Sequence, residues 1–123
     1  ATAAINKLPV KVIVLNNHYL GMVRQWQELF FQNRESGVDL EGNPDFAKLA
    51  NCYPGAKGFT LKRAADIKKI LKRAMDYNDG PCVINAEVEK SDNVYPMIPA
   101  GRPLEDMILE APKYQMEKPT GST

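Results

Sequence analysis

The sequence predicts an α/β fold, a partial parallel sheet flanked by helices. Three short runs with β-branched and aromatic residues, Val10 to Leu15, Gly58 to Lys62 and Cys82 to Glu89, read as strands. Helical spacing fills the intervals between them, so each strand is reached by a crossover and runs parallel to the others. The first run is apolar at every position but Lys11, the mark of a strand covered on both faces, and is expected at the centre of the sheet. Three strands make a narrow sheet, so that strand is expected to need neighbours from beyond these residues.

Ala1 to Lys7 reads as the last turns of a helix, stopped by Leu8-Pro9 because proline cannot continue it. After the first strand come Asn16-Asn17 and Gly21, and from Met22 the apolar positions Met22, Trp26, Leu29 and Phe30 follow helical spacing. Gln32 to Gly42 is polar and without period, hence a loop. Asn43 as cap and Pro44 in the first turn then announce a helix whose face is Phe46, Leu49, Ala50 and Tyr53, ended by Pro54-Gly55. Ala64 to Tyr77 sets Ile67, Ile70, Leu71, Ala74 and Met75 against Lys68, Lys69, Lys72 and Arg73. Asn78 to Pro81 is a turn into the last strand, where Cys82, Ile84, Ala86 and Val88 alternate with a mixed face holding Asn85, Glu87 and Glu89. Val94 to Pro103 carries three prolines among large apolar residues and reads as an ordered coil that packs on something. One helical turn is expected within Leu104 to Leu109 and a frayed tail over 111–123.

The 123 residues suffice for one domain, and 44% hydrophobic with 25% charged residues is ordinary for a globular protein. A net charge of +1 gives no electrostatic reason to expect nucleic acid, and no apolar run approaches the roughly 20 residues of a membrane span. The lysine-rich helix face has no interleaved aromatics and reads as a solvated face. Cys52 and Cys82 are far apart and read as free thiols of a reducing compartment. His18 is the only histidine, so triad chemistry is poorly supported and any reaction is expected to rest on a cofactor.

The junction from Val10 to Gln27 is where such a cofactor would sit, since open α/β sheets bind ligands at the carboxyl ends of strands. Asn16 and Asn17 offer neutral oxygens there. They suit a hard cation such as Mg²⁺, although Asn-Asn after a strand is more often a turn or helix-cap device. Met22 and Trp26 share one helical face, which reads either as core or as the lining of a pocket.

The runs LPVKVIVLNNHYLGMVRQWQELFF, GNPDFAKLA and NVYPMIPAG, within a similarity reaching from the first residues to about Ile108, closely resemble the catalytic large subunit of acetolactate synthase (acetohydroxyacid synthase), in its carboxyl-terminal thiamine-diphosphate-binding domain. Asn-Asn is common to most thiamine-diphosphate enzymes. The LGMVRQWQ and VYPMIPAG stretches favour acetolactate synthase over pyruvate oxidases, decarboxylases and other carboligases; another thiamine-diphosphate carboligase or oxidase, or a non-catalytic binding module of the same fold, stays open as an alternative.

The resemblance implies a thiamine-diphosphate-binding fold over residues 1–110, with 91–110 as a lid-like tail. It implies that Asn17 gives its side-chain oxygen and Tyr19 its backbone carbonyl to Mg²⁺, that Asn17, Tyr19, Leu20, Gly21 and Met22 bind the cofactor, and that Met22, Val23 and Trp26 line the pocket for 2-ketoacids. The family's Gly-Asp-Gly, the other half of its cofactor motif, has no match before Asn16 and is expected upstream of Ala1. So are the glutamate that activates the cofactor and the domain that binds FAD. No catalytic residue is therefore expected in these residues, and alone they are expected to be inactive. Pyruvate and 2-ketobutyrate are the implied substrates, and the remainder of the large subunit, a second copy and a regulatory small subunit the implied partners. No nucleic-acid or membrane partner is expected, in a cytoplasmic setting or, in a plant or alga, a plastid.

Overall fold

The computed structural model describes residues 1–111, so most of the tail expected to fray, from residue 112 onward, lies outside the described residues. The elements are α1 (Thr2–Ile5), β1 (Lys11–Asn16), α2 (Gly21–Phe30), α3 (Phe46–Asn51), β2 (Lys57–Leu61), α4 (Ile67–Asp76) and β3 (Cys82–Glu87). Single 3₁₀ turns occur at Ala64–Asp66 and Leu104–Asp106. The chain divides into two compact units. One holds Ala1–Leu20 with Ser36–Lys90; the other holds Gly21–Glu35 with the described residues from Ser91 onward.

The first unit contains the sheet, three parallel strands in the order β1-β3-β2. Lys11 and Lys57 both pair with Cys82, so the three strands start level. Asn16 then lies opposite Glu87 at the far end. The central strand is therefore β3, not β1 as the apolar run suggested. Among the described residues β1 has a partner on one side only, and Val12, Ile13 and Leu15 are exposed, Leu15 at 71%. Hydrophobicity cannot say which side of a strand is paired.

The core lies on one face of β3, where Cys82 and Ile84 meet Ala74 of α4, with Phe59, Leu61, Ile70, Leu71 and Tyr77 around them. Burial pushes the Cys82 thiol up from its ordinary value, against the nearby charges of Lys11 and Lys57. Cys52 is free as well, and exposed. On the α4 helix, Ala74 of the expected apolar face is buried and Ile70 and Leu71 half-buried, while Ile67 and Met75 stay exposed. Asn85, expected on the mixed face of β3, is buried, and its side-chain oxygen has no partner among the described residues.

The α3 cap differs by two positions from the expected one. Asp45, not Asn43, caps the helix, its carboxylate accepting the Lys48 amide at 3.0 Å. Proline 44 then stands just before the cap, and the helix ends at Asn51, three residues short of Pro54. The α3 helix also crosses β2 very closely. A Cβ on Gly58 would stand 1.8 Å from the Ala47 carbonyl oxygen, and one on Gly80 2.0 Å from that of Gly55. Both contacts are to backbone, which cannot swing aside.

Gly58→Ala should therefore destabilise by about 1–3 kcal/mol or unfold the unit, as overpacking does. Ile84→Ala, which empties the core centre, should cost about 2–5 kcal/mol. Urea unfolding midpoints test both; a Gly58→Ala midpoint equal to wild type would refute the close crossing of α3 and β2.

Candidate functional site

In the first unit the chain leaves β1 through two successive side-chain turns. The Asn16 side-chain oxygen accepts the His18 amide at 3.0 Å, and that of Asn17 accepts the Tyr19 amide at 3.1 Å. Such Asx turns follow from the short amide side chain, which reaches the amide two residues on. His18 is held at φ 59, a left-handed conformation unusual for a residue with a Cβ. Both asparagines thus act as turn devices; this use leaves a second lone pair on each oxygen.

Beyond the turn, Tyr19 bridges Asp39 in antiparallel fashion. The flanking hydrogen bonds are made by neighbours, the Leu20 amide donating to the Val38 carbonyl and the Leu40 amide to the His18 carbonyl, each at 2.9 Å. In that arrangement the amide and carbonyl of Tyr19 itself point away from the Asp39 strand, toward the edge where the Asn17 side chain already holds the amide. Asn17 and Tyr19 are therefore brought together by geometry. Leu20 is exposed next to them.

Lys90 closes the bridge from the other side. Its ammonium donates to the Asp39 carboxylate at 2.9 Å and lies 4.6 Å from the centre of the Tyr19 ring. The Lys90 hydrogen bond holds the Asp39 carboxyl below its ordinary value, and Asp39 in turn raises Lys90. Nothing in the sequence announces this pair, because the partners lie 51 positions apart. Together with His18 they face a polar hollow; among the described residues no group of histidine, cysteine and carboxylate side chains could hold a metal ion on its own.

The remaining expected residues, Gly21, Met22, Val23 and Trp26, belong to the second unit. Gly21 opens α2. Met22, Val23, Trp26, Gln27, Phe31 and Arg34 line one open groove of about 830 Å³. Met22 is 56% and Val23 49% exposed, while Trp26 is half-buried with its ring edge-on to Phe30, centroids 5.3 Å apart at 71°. Of the apolar face of α2, Met22 and Trp26 thus line this groove. What α2 buries is polar: Arg24 and Gln25. Their partners are Glu28 on the same helix and Ser91, Asn93, Val94 and Met97 on the proline-rich coil. The coil is ordered as expected, and folds back so that Met97 and Ile108 exchange amide–carbonyl hydrogen bonds of 2.9 and 2.8 Å. Sequence reading missed Arg24 and Gln25, since a polar stripe on an amphipathic helix ordinarily faces water.

The Asp39–Lys90 pair makes a checkable pH statement. A depressed folded value means the pair stabilises fully above the ordinary carboxylate value of about 3.9 and loses its effect as pH falls through the lower folded value. Lys90→Met should return the Asp39 carboxyl toward its ordinary value, read by the side-chain carboxyl carbon shift in an NMR titration. An unmoved midpoint would show that the two charges do not interact.

Residues 1–86 match the family described as thiamine pyrophosphate enzyme, C-terminal TPP binding domain. Similar curated proteins include the acetolactate synthase large subunit of Pyropia yezoensis, 42% identical over 108 residues that cover 87% of this chain and 18% of that protein. The isozyme 2 large subunit of Escherichia coli K12 is 37% identical over 107 residues, covering 87% of this chain and 19% of that protein. The acetolactate synthase of Mycobacterium bovis is 43% identical over 105 residues, covering 82% and 17%. The chain thus spans under a fifth of the length of these relatives. With more than two thirds of its residues matched, the chain belongs to the thiamine pyrophosphate enzyme family, in its C-terminal TPP binding domain.

Proposed function

We propose that these residues serve an acetolactate synthase, an enzyme that condenses pyruvate with a second 2-ketoacid to acetolactate or acetohydroxybutyrate in branched-chain amino-acid synthesis. The likeness to proteins bearing that name supports the reaction. The observation that carries the site is the turn at Asn17, which gathers a side-chain oxygen and the outward edge of Tyr19 at the carboxyl end of a parallel strand.

Neutral oxygens of this kind fit Mg²⁺, which takes carbonyl and carboxylate oxygens and keeps places for ligand phosphates. Asn17 would give its side-chain oxygen and Tyr19 its backbone carbonyl. The rest of the shell would come from the diphosphate and from a carboxylate elsewhere in the enzyme. Leu20, Gly21 and Met22 would lie along the cofactor, where the missing side chain of Gly21 permits a close approach. Thiamine diphosphate held there would supply the carbanion chemistry by which one 2-ketoacid could lose CO₂ and be joined to another.

The chain's own contribution to that reaction is position and exclusion. Met22, Val23 and Trp26 would present an apolar wall to the second 2-ketoacid. 2-Ketobutyrate has one methylene more than pyruvate, worth about 0.8 kcal/mol when buried, or about fourfold in selection. The 91–110 segment, whose first residues are held by Arg24 and Gln25 on the other half of α2, would act as a lid that keeps water from the reacting carbons. FAD, a second copy of the subunit and a regulatory subunit complete the proposed assembly.

In the complete enzyme, Asn17→Ala should weaken Mg²⁺-dependent binding of thiamine diphosphate by about tenfold or more, by loss of one oxygen from the metal shell. Unchanged affinity in a titration followed by tryptophan fluorescence would refute the metal assignment. Trp26→Leu should shift the acetohydroxybutyrate to acetolactate ratio in a competition between 2-ketobutyrate and pyruvate, while cofactor affinity stays near wild type.

A further inference from the structure

The two sides of α2 do opposite things. At about 100° per residue, Met22, Val23, Trp26 and Gln27 fall on one half of the helix, and Arg24, Gln25 and Glu28 on the other. The first half is the open groove; the second is buried and holds the coil.

The hold has two parts. The Gln25 amide nitrogen donates to the Val94 carbonyl at 2.8 Å, and the Val94 amide donates back to the Gln25 oxygen at 2.9 Å. That reciprocal pair fixes which end of the side-chain amide is which, because a flip would set donor against donor and acceptor against acceptor. Gln25 is 1% exposed, so neither bond is exchanged for water without opening the contact. Beside it, Arg24 donates to the Ser91 carbonyl at 2.7 Å, to the Asn93 side-chain oxygen and to Glu28 at 2.9 Å, while Asn93 donates to the same Glu28 oxygen at 2.8 Å. A charged, part-buried cluster of this kind resists partial opening, since losing one member strands the others.

Trp26 is the residue next to this clasp. Its ring is steadied by Phe30 of the same helix, so the direction it faces follows the rotation of α2 about its own axis. We infer that Gln25, backed by Arg24, is a positioning residue: by gripping the backbone at Val94 it sets the rotation of α2, and with it the wall that Met22 and Trp26 present to the second 2-ketoacid. The inference rests on the reading of that wall given above for its chemistry, but not for the clasp itself.

The test uses the complete enzyme with Gln25→Leu, which removes both bonds, and Gln25→Glu, which keeps the acceptor for the Val94 amide and loses the donor. Hydrogen exchange over residues 91–97 should speed up by about tenfold or more in Gln25→Leu and by less in Gln25→Glu. The KM for 2-ketobutyrate and the product ratio should shift in the same order, with thiamine-diphosphate affinity within about twofold of wild type. A purely structural role would lower the active fraction and leave KM and product ratio unmoved. Unchanged exchange in Gln25→Leu overturns the clasp, and faster exchange with an unchanged product ratio overturns the positioning role. Should Gln25→Leu not fold, Gln25→Glu alone decides on the same two readouts. If the wild-type enzyme forms no acetolactate, the functional reading fails, and the exchange arm still decides the clasp.

Discussion

The parallel pairing of β3 between two neighbours in matching register is the constraint on which the sheet unit depends. Because Lys11 and Lys57 both meet Cys82, the flanking strands begin together, and β1 and β2 present their carboxyl ends on the same side as that of β3. At that side β1 ends in two asparagines whose side chains capture the next amides and turn the chain, with no further element needed to make the turn. The other end of the sheet is governed by size: Gly58 and Gly80 stand where backbone passes backbone, so strand, helix and turn are drawn together without side chains between them. Burial of Ile84 and Cys82 against Ala74 then secures the arrangement from one face.

Much of this was legible in the residues. The alternation of strand and helix periods gave the parallel α/β class, and the three strands lie within a residue or two of where they were read. The junction was legible too, both from the abrupt end of the apolar run at Asn16 and from the resemblance carried by LGMVRQWQ, which agrees with the relatives found. The order of the strands was not. Apolarity reports how much of a strand is meant to be covered, and is silent on which neighbour covers it, so β1 was placed at the centre when β3 holds that place. The cap of α3 was misread because Asn43 and Asp45 are both competent, and only the backbone decides which carboxylate or amide meets the Lys48 amide.

The α2 helix shows the same limit more sharply. Its spacing of Met22, Trp26, Leu29 and Phe30 has the period of a core-facing stripe, and the groove reading and the core reading predict one and the same pattern. The outcome turns on Arg24 and Gln25, whose partners lie more than 60 positions away on a coil with no period of its own. Among the described residues this helix buries polar groups and leaves Met22, Val23 and Phe30 exposed.

The Gln25 contact also shapes how this sequence can drift. A side-chain amide that pairs with a peptide unit imitates the edge of a strand, and what it reads at position 94 is backbone only. Many residues could follow valine there without disturbing the pair. Proline could not, for it would withdraw the very amide that Gln25 accepts, and in a stretch already stiffened by three prolines that single position must stay without one.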